Sequence, residues 1–256
     1  MKLLQPCIIA FAMYSKIPMP CIDWNKENMK YAMCFFPLVG AVLGALLYLW
    51  AMLTGLLHTG VILRAAICTL LPLLITGGIH LDGFCDTVDA LSSRQSTERK
   101  LEILSDPHIG AFGVMGCTAY LLLSFALWAE LTFTPKVLLI LAIGSVLSRS
   151  LSGLSVVSFR CAKGSGLLAA FSDGAQKKNV RIVMLIFISM CIAAMAAISP
   201  IVGGTTAAAA LLVFLYYRVV SYRVFGGITG DLAGWFLCLC ELAMLAATVA
   251  TGGLML

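Results

Sequence analysis

Seven apolar runs follow one another along this chain, at roughly residues 33–56, 61–80, 111–133, 137–157, 182–199, 201–220 and 232–254. Each is close to the about 20 residues a helix needs to cross the hydrocarbon of a bilayer. They predict an all-α, polytopic membrane bundle of about seven transmembrane helices, read here as one integral membrane domain over residues 1–256. Composition says the same. Hydrophobic residues make up 61% of the 256 positions, charged residues 11%, and the mean hydropathy is +1.01. Soluble domains carry roughly 45–50% and about 25%, so a soluble globular enzyme and a disordered chain are both excluded. With 17 Lys and Arg in so apolar a chain, no phosphate-tracking surface for nucleic acid is expected.

Residues 1–30 carry Lys2 and a short apolar stretch but no small-residue cleavage site, and Pro6, Pro18 and Pro20 interrupt them. They read as an uncleaved segment at the membrane interface, in contact with lipid. The ten cysteines are scattered, without a C-x-x-C pair, and most lie in apolar runs; they read as small packing residues. Gly40 and Gly44 form a G-x-x-x-G, a face that lets helices associate and that would permit a homo-oligomer.

The basic residues set the orientation. One side collects fourteen of them (Lys2, Lys16, Lys26, Lys30, Arg94, Arg99, Lys100, Arg160, Lys163, Lys177, Lys178, Arg181, Arg218 and Arg223), against Arg64 and Lys136 on the other. By the positive-inside rule the N-terminus and the loops 81–110, 158–181 and 221–231 face the cytoplasm, and the C-terminus at Leu256 lies outside. The long polar stretches share that cytoplasmic side, so the chemistry is expected to use soluble cytoplasmic reagents.

The most informative loop is Gly77–Gly116, GGIHLDGFCDTVDALSSRQSTERKLEILSDPHIGAFGVMG. Asp82, Asp86 and Asp89 stand at i, i+4 and i+7, which puts three carboxylates within an arc of about 60° on one helix face. One such Asp would be explained as a helix cap. Three repel one another, and a divalent cation relieves the conflict; oxygen donors of this kind suit Mg²⁺ or Mn²⁺. Asp106 before Pro107 reads as an N-cap followed by proline at the first helical turn. Gly110, Gly113 and Gly116 recur every three residues, as in a helix that packs closely on a neighbour. Near the far end, GGITGD, residues 226–231, is a glycine-rich turn that could hold phosphate on backbone N–H groups around Gly230, with Asp231 as a further metal ligand. Arg160 and Lys163, before Gly164-Ser165-Gly166, are candidate phosphate-binding cations. Arg149 and Glu241 lie within spans, where charges are costly and usually paired or functional; they are expected to pair or to line one cavity. His80, beside the aspartates, is a candidate partner for a hydroxyl group.

The motifs GGIHLDGFCDTVDAL, SDPHIGAFGVMG and GGITGDLAGWFLCLCEL, in this order, resemble those of the cobalamin synthase family, the adenosylcobinamide-GDP ribazoletransferases. FAMYSKIPMP and FFPLVGAVLGALL look like that family's N-terminal region, so the resemblance covers essentially the whole chain; SVLSRS around Arg149 and AKGSG around Lys163 look similar too. It implies a Mg²⁺-dependent transferase of a bacterial or archaeal cytoplasmic membrane. Such an enzyme joins adenosylcobinamide-GDP to α-ribazole or its 5′-phosphate and releases GMP. Asp82, Asp86, Asp89 and Asp231 would then hold Mg²⁺, with Asp82, Asp86 or His80 acting catalytically. Arg149, Arg160, Lys163, Asp106 and Gly230 would lie toward substrate phosphate. Two other readings remain at this stage. CDP-alcohol phosphotransferases also place several aspartates at helical spacing, but their Asp-Gly continues into Ala-Arg, whereas Gly83 is followed here by FCDTVDAL. An ion transporter would place its charges at mid-membrane in repeated halves, and no second half is evident.

Overall fold

A computed structural model describes residues 4–164 and 166–252; Lys2, Ser165 and Leu256 lie outside them. The described chain is helical, with no β-strand among its named elements. Helix α1 (Leu4–Tyr14) and the short α2 (Lys26–Met29) make up the N-terminal segment, and a 3-10 turn (Ala32–Phe35) leads into α3 (Phe36–Leu56). Then come α4 (Val61–Thr76), α5 (Ile79–Ser92), α6 (Thr97–Ile103), α7 (Ala111–Glu130), α8 (Pro135–Ser158) and α9 (Leu167–Gly174). Three long helices close the chain: α10 (Lys177–Ile198), α11 (Pro200–Val224) and α12 (Gly230–Gly252). Six helices are long and apolar enough to cross a membrane, and the bent pair α4–α5 brings the number up to seven. Large apolar side chains stay on the outside, including Ile62 at 75%, Leu74 at 68% and Leu212 at 66% exposure. That surface is suited to lipid rather than water.

The expected span 61–80 is corrected. Helix α4 stops at Thr76, and α5 leaves at 96° to it. The cause is the pair Gly77 and Gly78, both left-handed at φ +66° and +82°, a region that costs glycine nothing and other L-residues a good deal. Two such residues in succession end one helix and start another. The Lys16 side chain lies over Gly77, and its backbone N–H bonds the Ile75 carbonyl at 2.7 Å, so the N-terminal segment braces the bend.

Helix α8 is the hub. It is packed on α3, α10, α11 and α12, and almost its entire surface from Gly144 to Val157 is buried. The G-x-x-x-G face is spent inside the chain. A Cβ on Gly40 or Gly44 would run into the α8 backbone at Ser145 or Ala142, so the pair seats α3 on α8 and offers no face for an oligomer. Arg149, 1% exposed, forms its ion pair with Glu241 of α12 across the bundle, and the Ser148 hydroxyl donates to the same carboxylate at 3.2 Å. The pairing expected from two charges within spans is therefore present.

Candidate active site

Helices α5 and α12 make the site by crossing without side chains between them. A Cβ on Gly83 would sit 2.7 Å from the Asp231 Cα, and one on Gly234 would sit 2.8 Å from the His80 carbonyl oxygen. Residue 80 faces 234 while 83 faces 231, so the two helices run antiparallel, and Asp86 lies beyond the start of α12. The crossing thus collects Asp82, Asp86 and Asp231 at the end of the bundle that also carries the loop 93–110 and the segment 159–164. Asp82 is exposed, and Asp86 and Asp231 are half-buried. Burial first, then the charges of Asp82 and Asp231, push the Asp86 carboxyl up to about 7. Like charges this close disfavour a shared ionised state.

Asp89 has another task. Its two carboxylate oxygens accept the backbone N–H groups of Gly110 at 2.7 Å and Gly113 at 2.8 Å. It caps the N-terminus of α7 from a different helix, where a negative charge meets the positive end of the dipole. The glycine repeat is explained by the same contact. A Cβ at Gly110 or Gly113 would strike the Asp89 carboxylate, and one at Gly116 would strike Val88. Asp106 departs from expectation. No helix starts at Pro107; α7 begins at Ala111 with Gly110 as its N-cap residue. Asp106 is exposed and instead accepts from the His108 backbone N–H at 3.0 Å, which, with the His108 ring, holds its carboxyl below the usual range.

The glycine-rich turn is fixed by a neighbouring segment. The Ile228 N–H bonds the Arg160 carbonyl at 2.8 Å and the Ala162 N–H bonds the Ile228 carbonyl at 2.9 Å, a single parallel bridge pair. A Cβ on Gly227 would collide with the Arg160–Ala162 backbone. Thr229 then caps α12, its hydroxyl accepting from the Leu232 N–H at 3.2 Å, which places Asp231 in the first turn. The Arg160 guanidinium is spent on the Gly226 carbonyl, at 2.6 and 3.0 Å.

A cavity of about 300 Å³ opens beside this crossing. Asp82, Asp231, Gly230, Thr229, Ser105 and Lys163 supply its polar wall, with His80 deeper in. Lys163 reaches across from the α8–α9 segment, donating to the Leu101 carbonyl at 2.7 Å and to the Ser105 hydroxyl. Of the expected phosphate-binding groups, Lys163 and Gly230 line the cavity, while Arg149, Arg160 and Asp106 do not. The inner wall is apolar and aromatic, formed by Tyr14, Phe36, Phe171 and neighbours. Sequence reading missed that wall; FAMYSKIPMP and FFPLVG held Tyr14 and Phe36, but nothing in their spacing tied them to Phe171 or to the aspartates.

Among the described residues, no three His, Cys, Asp or Glu side chains converge as a metal cage. Mg²⁺ does not require one, because it typically takes one or two carboxylates together with substrate phosphates and water. A set of carboxylates, one of them raised by burial and then by its charged neighbours, fits such an ion.

Comparison with known proteins settles the family. A model of the cobalamin-5-phosphate synthase family matches residues 6–249. The chain belongs to the cobalamin-5-phosphate synthase family. Its relatives in this family include an adenosylcobinamide-GDP ribazoletransferase of Lachnoclostridium phytofermentans, 49% identical over 98% of this chain and 96% of that one. One of Treponema denticola is 35% identical over 94% and 96%, and one of Desulfitobacterium hafniense is 35% identical over 93% of each. No solved structure matches. The two acidic motifs fall within the region matched by the cobalamin-5-phosphate synthase model, so the α5–α12 crossing belongs to the shared part of the chain.

Proposed function

We propose that this protein joins adenosylcobinamide-GDP to α-ribazole, or to its 5′-phosphate, with release of GMP, at the cytoplasmic face of the membrane. The observation that carries this reading is the glycine-mediated crossing that gathers Asp82, Asp86 and Asp231 beside a cavity containing Lys163. It does so in a chain 49% identical to a protein named for that transfer. A ribose hydroxyl attacks the phosphorus attached to cobinamide; the new P–O bond forms as the pyrophosphate bond breaks, and the bridging oxygen leaves with GMP. Phosphoryl transfers of this kind depend on positioning and on neutralising charge.

One or two of Asp82, Asp86 and Asp231 would hold Mg²⁺ together with the substrate's phosphates, with Asp89 left to its cap on α7. Bound there, the ion would neutralise pyrophosphate charge and favour departure of the leaving oxygen. Lys163, kept in place by Leu101 and Ser105, adds a positive charge on the cavity wall. One of these aspartates, or His80, would accept the hydroxyl proton; the exposure of Asp82 favours that residue.

The test is GMP release by purified protein in detergent, given adenosylcobinamide-GDP, α-ribazole and Mg²⁺. Release that needs all three, and that is lost with EDTA and in Asp82→Ala, supports the reading. A folded sample that releases no GMP refutes it; CDP-alcohol donors and Mg²⁺ flux in proteoliposomes would then separate the other two readings.

A further inference from the structure

At the end of the bundle away from Asp82, an arginine stands without a counter-ion. Arg64 lies in the first turn of α4, and helical side chains lean toward the N-terminus, here toward the turn between α3 and α4. Its guanidinium carbon sits 3.7 Å from the centroid of the Phe133 ring, which comes from the turn between α7 and α8. Stacking holds the plane of the group but accepts none of its N–H bonds directly. Among the described residues, no ion pair or hydrogen bond uses the guanidinium; only the Arg64 carbonyl is engaged, by the Trp50 indole at 3.4 Å. The one described carboxylate at this end, Glu130, is exposed and pairs with nothing. Of the three guanidinium nitrogens, Nε is closed off by packing; the two terminal ones, equally unpartnered, stay accessible. Arg64, itself half-buried, lines a cavity of about 500 Å³ together with Thr54, His58, Thr59 and Phe133. A cation that only reaches for water needs neither a stacked ring nor a cavity.

We infer that this cavity binds the phosphate of a membrane phospholipid, with the terminal N–H groups of Arg64 donating to the phosphate oxygens. A guanidinium presents its donors in a fixed fork that matches phosphate geometry, and a stacked one is already oriented. The surroundings select a lipid over a free anion. Leu56 and Leu57, at 78% and 56% exposure, and Ile62, at 75%, flank the cavity residues on either side of the turn. These side chains belong to the surface suited to lipid, and acyl chains can lie along them while the headgroup meets Arg64. Depth agrees with this. Arg64 lies about 6 Å along α4 from Gly60, at the level of headgroups rather than in open water. A phosphate held there ties the α3–α4 turn to Phe133 on the α7–α8 turn, which steadies α4 ahead of its bend into the helix of Asp82. The site stands apart from the transfer reaction and does not depend on it.

The experiment titrates full-length protein in nonionic detergent with dioleoylphosphatidylglycerol and counts bound lipid by native mass spectrometry. Dioleoylglycerol, which lacks the phosphate, and inorganic phosphate, which lacks the chains, form separate arms. Wild type is expected to hold one phosphatidylglycerol about tenfold more tightly than dioleoylglycerol, the order of one charge-assisted hydrogen bond. Arg64→Gln is expected to abolish that preference, and Arg218→Gln, at the basic end of the bundle, to keep it. An unchanged binding curve in Arg64→Gln, or dioleoylglycerol bound as tightly as phosphatidylglycerol by wild type, overturns the inference. An equal loss in Arg218→Gln makes the effect one of total charge and also overturns it. Inorganic phosphate that binds as tightly as the lipid, and is lost in Arg64→Gln, makes this a site for soluble anions and overturns the lipid assignment. Should Arg64→Gln fail to fold, a phospholipid with a photoreactive headgroup on wild type decides. Labelling of peptides containing His58 or Phe133 is expected, and labelling confined to other segments overturns the assignment.

Discussion

Replacing Gly83 by alanine tests whether the helix crossing makes the site. The added Cβ would stand 2.7 Å from the Asp231 Cα and 2.8 Å from its carbonyl oxygen, both backbone atoms that no rotamer change can move. Carbon atoms prefer about 3.5–4.0 Å, so α5 and α12 must separate by about 1 Å or the backbone must bend. Overpacking of this kind costs about 1–3 kcal/mol, while the gain in helix propensity over glycine returns less than about 1 kcal/mol. Gly204→Ala is the control, because a Cβ there meets nothing within 4 Å; it keeps the propensity gain without the clash. The assay is thermal unfolding in detergent together with GMP release. Gly83→Ala is expected to lower the unfolding temperature and to cut turnover by about a hundredfold, the order of loss for a 1 Å misplacement. Gly204→Ala is expected to leave turnover unchanged. Wild-type turnover in Gly83→Ala would refute the claim that this contact positions Asp82 against Asp231.

Three further outcomes follow from the same geometry. Arg149→Leu or Glu241→Leu alone leaves an uncompensated charge inside the bundle and is expected to cost about 3–5 kcal/mol; the double variant should be more stable than either single one in detergent melting curves. Asp89→Asn is expected to lower stability by loosening the α7 cap while leaving the Mg²⁺ concentration dependence of turnover unaltered, whereas Asp82→Asn should shift or abolish it. A proton on Asp86 competes with any cation there, and its carboxyl is raised to about 7. Apparent Mg²⁺ affinity should therefore weaken by about tenfold as pH falls from 8 to 6, measured as the half-saturating Mg²⁺ concentration for GMP release.

Much of this architecture was legible in the sequence because lipid imposes a simple rule. Apolar runs of bilayer length gave the long helices to within a few residues, and the cost of charges in that setting marked Arg149 and Glu241 as partners. The break at Gly77–Gly78 was hidden, since two glycines in an apolar run change its hydropathy little but change its backbone freedom completely. Helical spacing placed Asp82, Asp86 and Asp89 on one face, yet it cannot say what that face meets; Asp89 meets the open amides of α7. The signal was present in Gly110 and Gly113, the two positions where a side chain would have kept the carboxylate away. Asp106 failed for a related reason. A cap residue followed by proline forms a tight turn as readily as a helix start, and local sequence does not distinguish them.

The bridge between Ile228 and the Arg160–Ala162 segment joins chain stretches more than sixty residues apart into one piece of backbone. Its two hydrogen bonds adjoin the cap of α12, and so the carboxylate of Asp231, with no flexible link between. A molecule that settles against Asp231 must therefore stiffen this bridge, and the amides of Ala162 and Ile228 become built-in reporters of occupancy. Their hydrogen exchange should slow when substrates are present, which lets binding be followed in a protein whose turnover has been abolished.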